Sequence, residues 1–198
     1  MLHRRDELLL EARKKQQLIG VWGTGSGCGA THMAIATAIY AKQVWNHKVA
    51  YVEFNALNQI ACLLGDEEYW QEEFFYQGVR FFANVTQDKL WKILEMGYET
   101  LVLDLGTRGE RIPKEFSLCH IKLIVADGAK WKRNALEALL KKLEKEEVRQ
   151  CRFLISFAGK QEVKRLRRDY RIHFYPIPYQ QDAFCLNLPM IELLETLI

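Results

Sequence analysis

Five glycines lie within ten residues near the beginning of the sequence, and they constrain the fold more than any other feature: Gly20, Gly23, Gly25, Gly27 and Gly29. The hydrophobic residues before them predict a short buried strand, and the residues after them predict the first turn of a helix. Glycine lets backbone N–H groups converge without Cβ clashes, and the positive end of the helix dipole points into the loop. The stretch therefore predicts an anion site, above all for a phosphate chain. The alternative is a flexible surface turn, which does not explain the flanking strand and helix.

The loop matches part of the P-loop pattern, which is Gly, four residues, then Gly-Lys-Ser/Thr. Thr31 fits the hydroxyl that binds magnesium, whereas Ala30 stands at the lysine position and Thr24 at the first glycine. The lysine of that pattern reaches the β- and γ-phosphates. Loss of such a contact removes roughly 1.5–3 kcal/mol, which weakens binding by about one to two orders of magnitude. We expect a larger loss in catalysis, which depends on charge at the transferring phosphoryl group.

A second feature is a hydrophobic strand that ends in a carboxylate, in residues 99–106 (Glu-Thr-Leu-Val-Leu-Asp-Leu-Gly). In P-loop proteins such a carboxylate holds the magnesium-bound water. We therefore predict that Thr31 and Asp104 form a metal site, and that Gly106 offers its backbone N–H to the γ-phosphate. The alternative is that Asp104 only forms a turn. Its position about seventy residues after the glycine loop favours the metal site.

Hydrophobic runs and helical segments alternate along the rest of the chain. We predict strands at residues 18–22, 48–55, 78–85, 99–106, 121–127, 152–157 and 172–178, and helices at residues 30–44, 56–64, 86–96, 131–147, 161–170 and 189–198. The last strand contains prolines, which favour a sheet edge, and residues 66–76 are the least regular. The alternation predicts a three-layer α/β fold of the P-loop NTPase type, a mostly parallel sheet with helices on both faces. Ligands of such sheets bind beyond the carboxyl ends of the strands.

Composition limits the partners and the compartment. A net charge of +3 is too small to indicate nucleic acid, which we regard as an unlikely partner. The five cysteines are scattered without a CxxC pair, which favours reduced thiols and a cytoplasmic protein. The sequence shows no signal peptide and no apolar run long enough to cross a bilayer. We expect a single domain over residues 18–198, preceded by a basic helix at residues 1–17. That helix would contact a membrane surface or a partner, or else cover a sheet edge.

The order of elements from residue 18 to the carboxyl terminus resembles the ParA/MinD group of deviant P-loop ATPases, and within it the TadZ/CpaE-like pilus-assembly localisation proteins. The group's loop reads roughly Lys-Gly-Gly-Val-Gly-Lys-Thr-Thr, and residues 25–32 here read Gly-Ser-Gly-Cys-Gly-Ala-Thr-His. Gly27, Gly29 and Thr31 match. Gly25 replaces the signature lysine, which in the group crosses a dimer interface, and Ala30 replaces the ordinary loop lysine. The Walker A loop is therefore degenerate.

The resemblance implies ATP or ADP with Mg²⁺ as the cofactor. It assigns cofactor binding to Gly25, Ser26, Gly27, Cys28, Gly29, Ala30, Thr31, His32, Gly106 and Pro178, metal binding to Thr31 and Asp104, and catalysis, if the protein is active, to Asp104 and Glu53. Asn55 stands in a second acidic position and cannot act as a base. Ser156 and Phe157 replace an adenine-side asparagine. Candidates to replace the missing lysines are Arg108, Lys130, Lys160 and His32.

Three functions follow from these features. The first is a degenerate nucleotide-binding protein that serves as a localisation or assembly scaffold or regulator, with weak or absent hydrolysis. The second is a slow Mg-dependent ATPase. The third is an NAD-type dinucleotide-binding protein, since residues 25–30 satisfy G-x-G-x-x-A and Glu53 follows at a strand end. A protein partner is expected first, with a homodimer and a peripheral membrane contact through the basic segments as further expectations, so that the protein is cytoplasmic or membrane-associated through its partner.

Overall fold

The computed structural model describes residues 16–55, 57–60, 72–107 and 112–198. The strands are β1 (Gln17–Gly23), β2 (Val49–Glu53), β3 (Glu73–Tyr76), β4 (Val79–Phe82), β5 (Thr100–Asp104), β6 (Ile121–Asp127), β7 (Cys151–Ser156) and β8 (Phe174–Pro176). The α-helices are α1 (Ala30–Gln43), α2 (Gln87–Leu94), α3 (Arg133–Lys142), α4 (Lys145–Gln150), α5 (Lys160–Tyr170) and α6 (Leu188–Leu197). The predicted basic helix falls almost entirely on residues 1–15, outside the described part.

The described strands form one sheet in the order β3-β4-β2-β5-β1-β6-β7-β8. Every neighbouring pair is parallel except β3 and β4, which form an antiparallel hairpin at one edge. Because the remaining strands are parallel, their carboxyl ends meet at the same edge of the sheet. β8 lies at the opposite edge from the hairpin, as its prolines predicted. The mostly parallel α/β sheet expected from the sequence is confirmed.

Both faces of the sheet are covered, and α1 shows why the sequence after the glycine loop is helical and apolar. Alanine is the best helix former, and its small side chain lets a helix lie close to a sheet. Ala34, Ala36 and Ala38 are fully buried, in a cluster that also contains Met190 and Leu194 of α6. The other face packs against α2, α3 and α5 through a second cluster. The core therefore fixes α1, and with it the glycine loop, against the middle of the sheet.

Two predicted elements differ from the structure. The single helix predicted over residues 131–147 is instead a 3-10 turn at Lys130–Lys132 followed by α3 and α4. The break comes at Leu143 and Glu144, which are extended, because Glu144 and Glu147 form a capping box that starts a new helix. Strand β3, in the stretch that looked least regular, pairs with β4 through Gln77 and Gly78, both with positive φ.

Other boundaries move by a few residues. The strand predicted over residues 78–85 is shorter in the structure, where it is β4, and the strand predicted over 172–178 is shortened to β8. The helix predicted over 86–96 is shortened to α2, and Thr86 is its N-cap. In the helix predicted over 56–64, residues 57–59 are not helical, and residue 56 and residues 61–64 lie outside the described residues. Within the described ranges, no helix combines the length and the apolar character needed to span a membrane.

Candidate nucleotide site

The glycine loop joins β1 to α1 and leaves the amino-terminal end of α1 open. Gly29 is the N-cap residue of α1, with φ 93°, and no side chain caps the helix there. Gly27 also has a positive φ, 73°. These left-handed conformations favour glycine. The first N–H groups of a helix lack intrahelical partners, so an uncapped, glycine-led end offers them to an anion.

Space around the loop differs from glycine to glycine. A Cβ added at Gly25 or Gly29 would meet nothing within 4 Å, whereas one at Gly23 would lie 2.6 Å from both Cys28 Sγ and Thr107 Cγ2. Gly23 is therefore required for packing, and Gly25 and Gly29 border open space. The Cys28 thiol is buried in the loop, and burial raises its pKa. Cys28 thus contributes a neutral, packed side chain.

Asp104, the last residue of β5, connects the loop to the neighbouring strands. Its Oδ2 accepts hydrogen bonds from the Thr31 hydroxyl at 2.7 Å and from the Tyr51 hydroxyl at 2.7 Å. Its Oδ1 accepts from the backbone N–H of Gly106 at 2.9 Å. Burial, and then the Asp104 charge, raise the pKa of Tyr51 well above its usual value, so Tyr51 stays protonated as a donor. The structure thus joins Thr31, Asp104 and Gly106, which the sequence placed in one site. The Gly106 N–H, which we predicted to face the γ-phosphate, donates to Asp104 in this structure.

Glu53 ends β2 beside Asp104, since the two residues are paired in the register of β2 and β5. It is fully buried. Its Oε1 accepts the backbone N–H of Gln59 at 2.6 Å and its Oε2 accepts that of Asn84 at 3.2 Å. Burial raises the pKa of Glu53 above its usual value, although these N–H groups oppose the shift. Both oxygens therefore hold backbone segments beside the site.

Asn55 and Gly106 meet closely behind the site. A Cβ added at Gly106 would lie 2.5 Å from Asn55 Cβ, and Gly106 has φ 62°. Asn55 Oδ1 accepts the backbone N–H of Leu57 at 2.9 Å. Its Nδ2 is buried and has no hydrogen-bond partner among the described residues. Asn55 thus shapes the turn after β2 and supplies no carboxylate.

A cavity of about 190 Å³ opens beside the loop. Its lining includes the residues predicted to bind the cofactor at Ser26, Gly27, Gly29, Ala30, Thr31, His32 and Gly106, together with Leu57, Gln59 and Thr107. Thr31 Oγ1 also lies 2.9 Å from Gln59 Oε1, so its single hydroxyl proton is shared between Gln59 and Asp104. Burial lowers the pKa of His32, against the opposing influence of Asp182. His32 therefore favours its neutral form in this structure.

The remaining predicted residues lie elsewhere. Pro178 follows β8, which is three strands from β1 in the sheet order. Pro178 is not among the residues that line the cavity beside the loop. Lys130 and Lys160 make no hydrogen bond to the loop in the described part of the chain. Arg108 lies outside the described residues.

Three residues of the site were missed by the sequence analysis: Tyr51, Gln59 and Lys132. Lys132 Nζ donates to the backbone carbonyl of Ser26 at 3.3 Å and lies 2.9 Å from Asp127 Oδ2. A signal for Lys132 is present in the sequence, since Asp127 ends a hydrophobic strand and a lysine follows five residues later. Tyr51 gives no such signal, because an aromatic residue in a hydrophobic run predicts only burial.

The donor set fits a magnesium nucleotide in part. Magnesium prefers oxygen ligands and is usually held by one or two protein oxygens together with phosphates and waters. The Thr31 hydroxyl and the Asp104 carboxylate are such oxygens, 2.7 Å apart, and the uncapped end of α1 suits the phosphates. The fit is incomplete at Ala30, which provides no charge to the phosphates. Thr31 and Asp104 would hold the ion, and the loop N–H groups would hold the phosphates.

Comparison with known proteins identifies the fold. The chain is similar to a ParA family ATPase from Chlorobium tepidum (TM-score 0.60, 13% identity, covering 91% of this chain and 91% of that one). It is also similar to the MinC:MinD cell division protein complex of Aquifex aeolicus (TM-score 0.62, 15% identity, covering 91% of this chain and 95% of that one). A third similar structure is the septum site-determining protein MinD complexed with Mg-ADP from Pyrococcus horikoshii (TM-score 0.60, 11% identity, covering 91% of this chain and 95% of that one). No family model and no curated protein sequence matches. The chain has a ParA/MinD-type fold, as the resemblance implied.

Proposed function

We propose that this protein binds ATP or ADP with Mg²⁺ on the glycine loop and acts as a localisation or assembly scaffold or regulator with weak or absent ATP hydrolysis. The observation that carries the proposal is the 2.7 Å contact between the Thr31 hydroxyl and the Asp104 carboxylate at the open end of α1. A bound magnesium ion would supply positive charge to the phosphates there. The MinD of Pyrococcus horikoshii, which shares the fold, is a complex with Mg-ADP.

Three features favour weak hydrolysis over fast turnover. Ala30 and Gly25 provide no charge at the two lysine positions. Both oxygens of Glu53 accept backbone N–H groups, so Glu53 is occupied as a structural acceptor and is not poised as a base. Asn55, in the second acidic position, is an amide. A slow Mg-dependent ATPase remains the second candidate, favoured by the register that sets Glu53 beside Asp104.

The dinucleotide alternative has less support. In that interpretation a strand-end carboxylate binds the ribose, and Glu53 would be that residue. Glu53 is fully buried, with both oxygens directed at backbone N–H groups of Gln59 and Asn84. It is therefore not presented to a ligand.

A protein partner is part of the proposal. MinD of Aquifex aeolicus, which shares the fold, is found in a complex with MinC. In this chain, α5 presents exposed basic residues at Lys164, Arg165 and Arg168. We infer that this helix is an available surface for an acidic partner, with an anionic membrane surface second. We also propose a homodimer. Sedimentation with and without ATP measures the oligomeric state.

The test is calorimetric titration of the purified protein with ATP, ADP and NAD, with and without magnesium. We expect magnesium-dependent ATP and ADP binding that weakens at least tenfold in Thr31→Ala and in Asp104→Asn. Thr31→Ser keeps the hydroxyl and is the matched control, which should bind like the wild type. A melting curve of each free variant checks that it is folded. Binding of NAD alone, or of none of the three at millimolar ligand, would contradict the proposed binding of ATP or ADP. ATP turnover above about 1 s⁻¹, within the usual enzyme range, would contradict weak or absent hydrolysis.

A further inference from the structure

We propose that Lys132 is the cation of the glycine loop, and that it acts through the peptide between Ser26 and Gly27 instead of touching the phosphates. This inference rests on the nucleotide site proposed above. Lys132 belongs to the 3-10 turn after β6, distant in sequence from the loop. Its Nζ donates to the Ser26 carbonyl at 3.3 Å. It thereby brings a charge to a loop whose own lysine positions are Gly25 and Ala30.

The planarity of the peptide bond gives Lys132 its effect. In a trans peptide the C=O and the following N–H point in opposite directions. Since the Ser26 carbonyl faces Lys132, the N–H of Gly27 points away from it. Ser26 borders two cavities, one of about 350 Å³ that it shares with Asp127 and Lys132, and one of about 190 Å³ that it shares with Gly27 and Thr31. Lys132 therefore lies on the side of the larger cavity, and the peptide geometry places the Gly27 N–H on the side of the smaller one, where we expect the phosphates.

Asp127 holds Lys132 in this position. Asp127 is 7% exposed in its side chain, and its Oδ2 lies 2.9 Å from Lys132 Nζ. Its Oδ1 accepts the backbone N–H of Ala129 at 2.8 Å, which fixes the carboxylate. The ammonium also lies beside Gly27, where an added Cβ would be in ordinary contact with it at 3.6 Å. The ammonium thus approaches the main chain closely.

The contact has two consequences for an anionic ligand. A hydrogen bond from an ammonium polarises the peptide and strengthens its N–H as a donor. The ammonium also raises the potential at the phosphate side of the loop, although the paired Asp127 carboxylate offsets part of this effect. Both effects grow with the charge of the ligand. Lys132 should therefore favour nucleoside triphosphates over diphosphates, and both over monophosphates.

The experiment compares Lys132→Met, Lys132→Arg and Asp127→Asn with Lys130→Met as the matched control, since Lys130 is an exposed lysine in the same turn. ATP, ADP and AMP are titrated with magnesium at low and high salt, and each free variant is melted. We expect Lys132→Met to weaken the binding of ATP about tenfold, to weaken the binding of ADP by a smaller factor, and to weaken the binding of AMP less than twofold. Its ATP affinity should also depend less on salt. Lys132→Arg should keep most of the affinity, and Lys130→Met should match the wild type. Asp127→Asn should weaken ATP binding less than Lys132→Met does, because it releases Lys132 but also removes a negative charge beside the loop.

Each outcome separates the inference from the proposed function. If the wild type binds ATP and Lys132→Met binds it equally well, the role of Lys132 is wrong and the nucleotide site stands. If Lys132→Met loses all three nucleotides equally and also melts at a lower temperature, Lys132 is a packing residue and the inference is overturned. If the wild type binds no nucleotide, the proposed function fails and this inference fails with it.

Discussion

Gly106 and Gly25 show that glycines with similar sequence surroundings have different physical roles. Gly106 has φ 62°, and its N–H reaches Asp104, while its Cα lies against Asn55. Gly25 borders open space. Only the first of these positions requires the absence of a side chain. The sequence placed both residues in the cofactor site without distinguishing them.

The substitution Gly106→Ala should destabilise the protein by about 1–3 kcal/mol, because it strains the backbone and drives a Cβ against Asn55. It should also weaken nucleotide binding by displacing Asp104. Gly25→Ala is the matched control and should change the unfolding free energy by less than about 0.5 kcal/mol. Urea unfolding measures both variants. Equal stability of the two variants would contradict this account of Gly106.

Glu53 gives a prediction about pH. Its pKa is raised by burial, so the folded protein disfavours the ionised form relative to the unfolded chain, whose value is 4.5. Its contribution to stability is therefore complete below pH 4.5 and is lost as the pH rises through the folded pKa. The unfolding free energy of the wild type minus that of Glu53→Gln should fall as the pH rises between the unfolded and the folded pKa, with a slope of about 1.4 kcal/mol per pH unit.

The matched control for this experiment has the opposite sign. Lys89 holds the pKa of the exposed Glu72 below its usual value. The contribution of Glu72 is thus present above pH 4.5 and is lost as the pH falls, so the difference between the wild type and Glu72→Gln should rise with pH. Urea unfolding between about pH 3 and 8 compares the two, since the Glu72 effect falls below pH 4.5 and the Glu53 effect above it. A difference for Glu53→Gln that stays flat or rises with pH would show that burial does not control this carboxyl.

Among the elements, α1 follows the glycine loop directly and is buried over most of its length. Its alanines are buried in a cluster that contains residues of the sheet and of α6. Ala36→Leu should therefore cost about 1–3 kcal/mol of unfolding free energy, because a closely packed site has no room for three more carbons. Gln43→Leu lies at the exposed end of the same helix and is the control. Urea midpoints that shift equally for both variants would contradict the packing.

Local signals account for the elements that were predicted well and for those that were not. Long hydrophobic strands such as β5 and β6, buried on both faces, were clear because apolar residues dominate each run. The β3–β4 hairpin was missed because its turn is Gln77-Gly78, not the Asn-Gly or Asp-Gly pair that marks such turns. The helix over 131–147 was predicted as one because it is rich in charged pairs four residues apart, such as Glu137 with Lys141. The capping box that divides it uses two ordinary glutamates.

For the whole molecule, the order of elements predicted the architecture, and the architecture predicted which residues meet. Parallel strands with a common carboxyl edge bring Thr31 and Asp104 together across more than seventy residues of sequence. What the sequence did not reveal are contacts that a side chain makes with an element distant in sequence. Lys132 reaches Ser26 from the turn after β6, and Tyr51 reaches Asp104 from β2. Such contacts depend on the twist and spacing of the sheet, which no local pattern records.

The open, uncapped end of α1 has a consequence for how proteins of this shape diverge. A ligand held by main-chain N–H groups depends on the shape of the loop more than on its side chains. Proteins of the same fold can therefore differ at most positions, as the 11–15% identities to these solved structures show. For such a loop, the absence of a lysine and the absence of a ligand are separate questions.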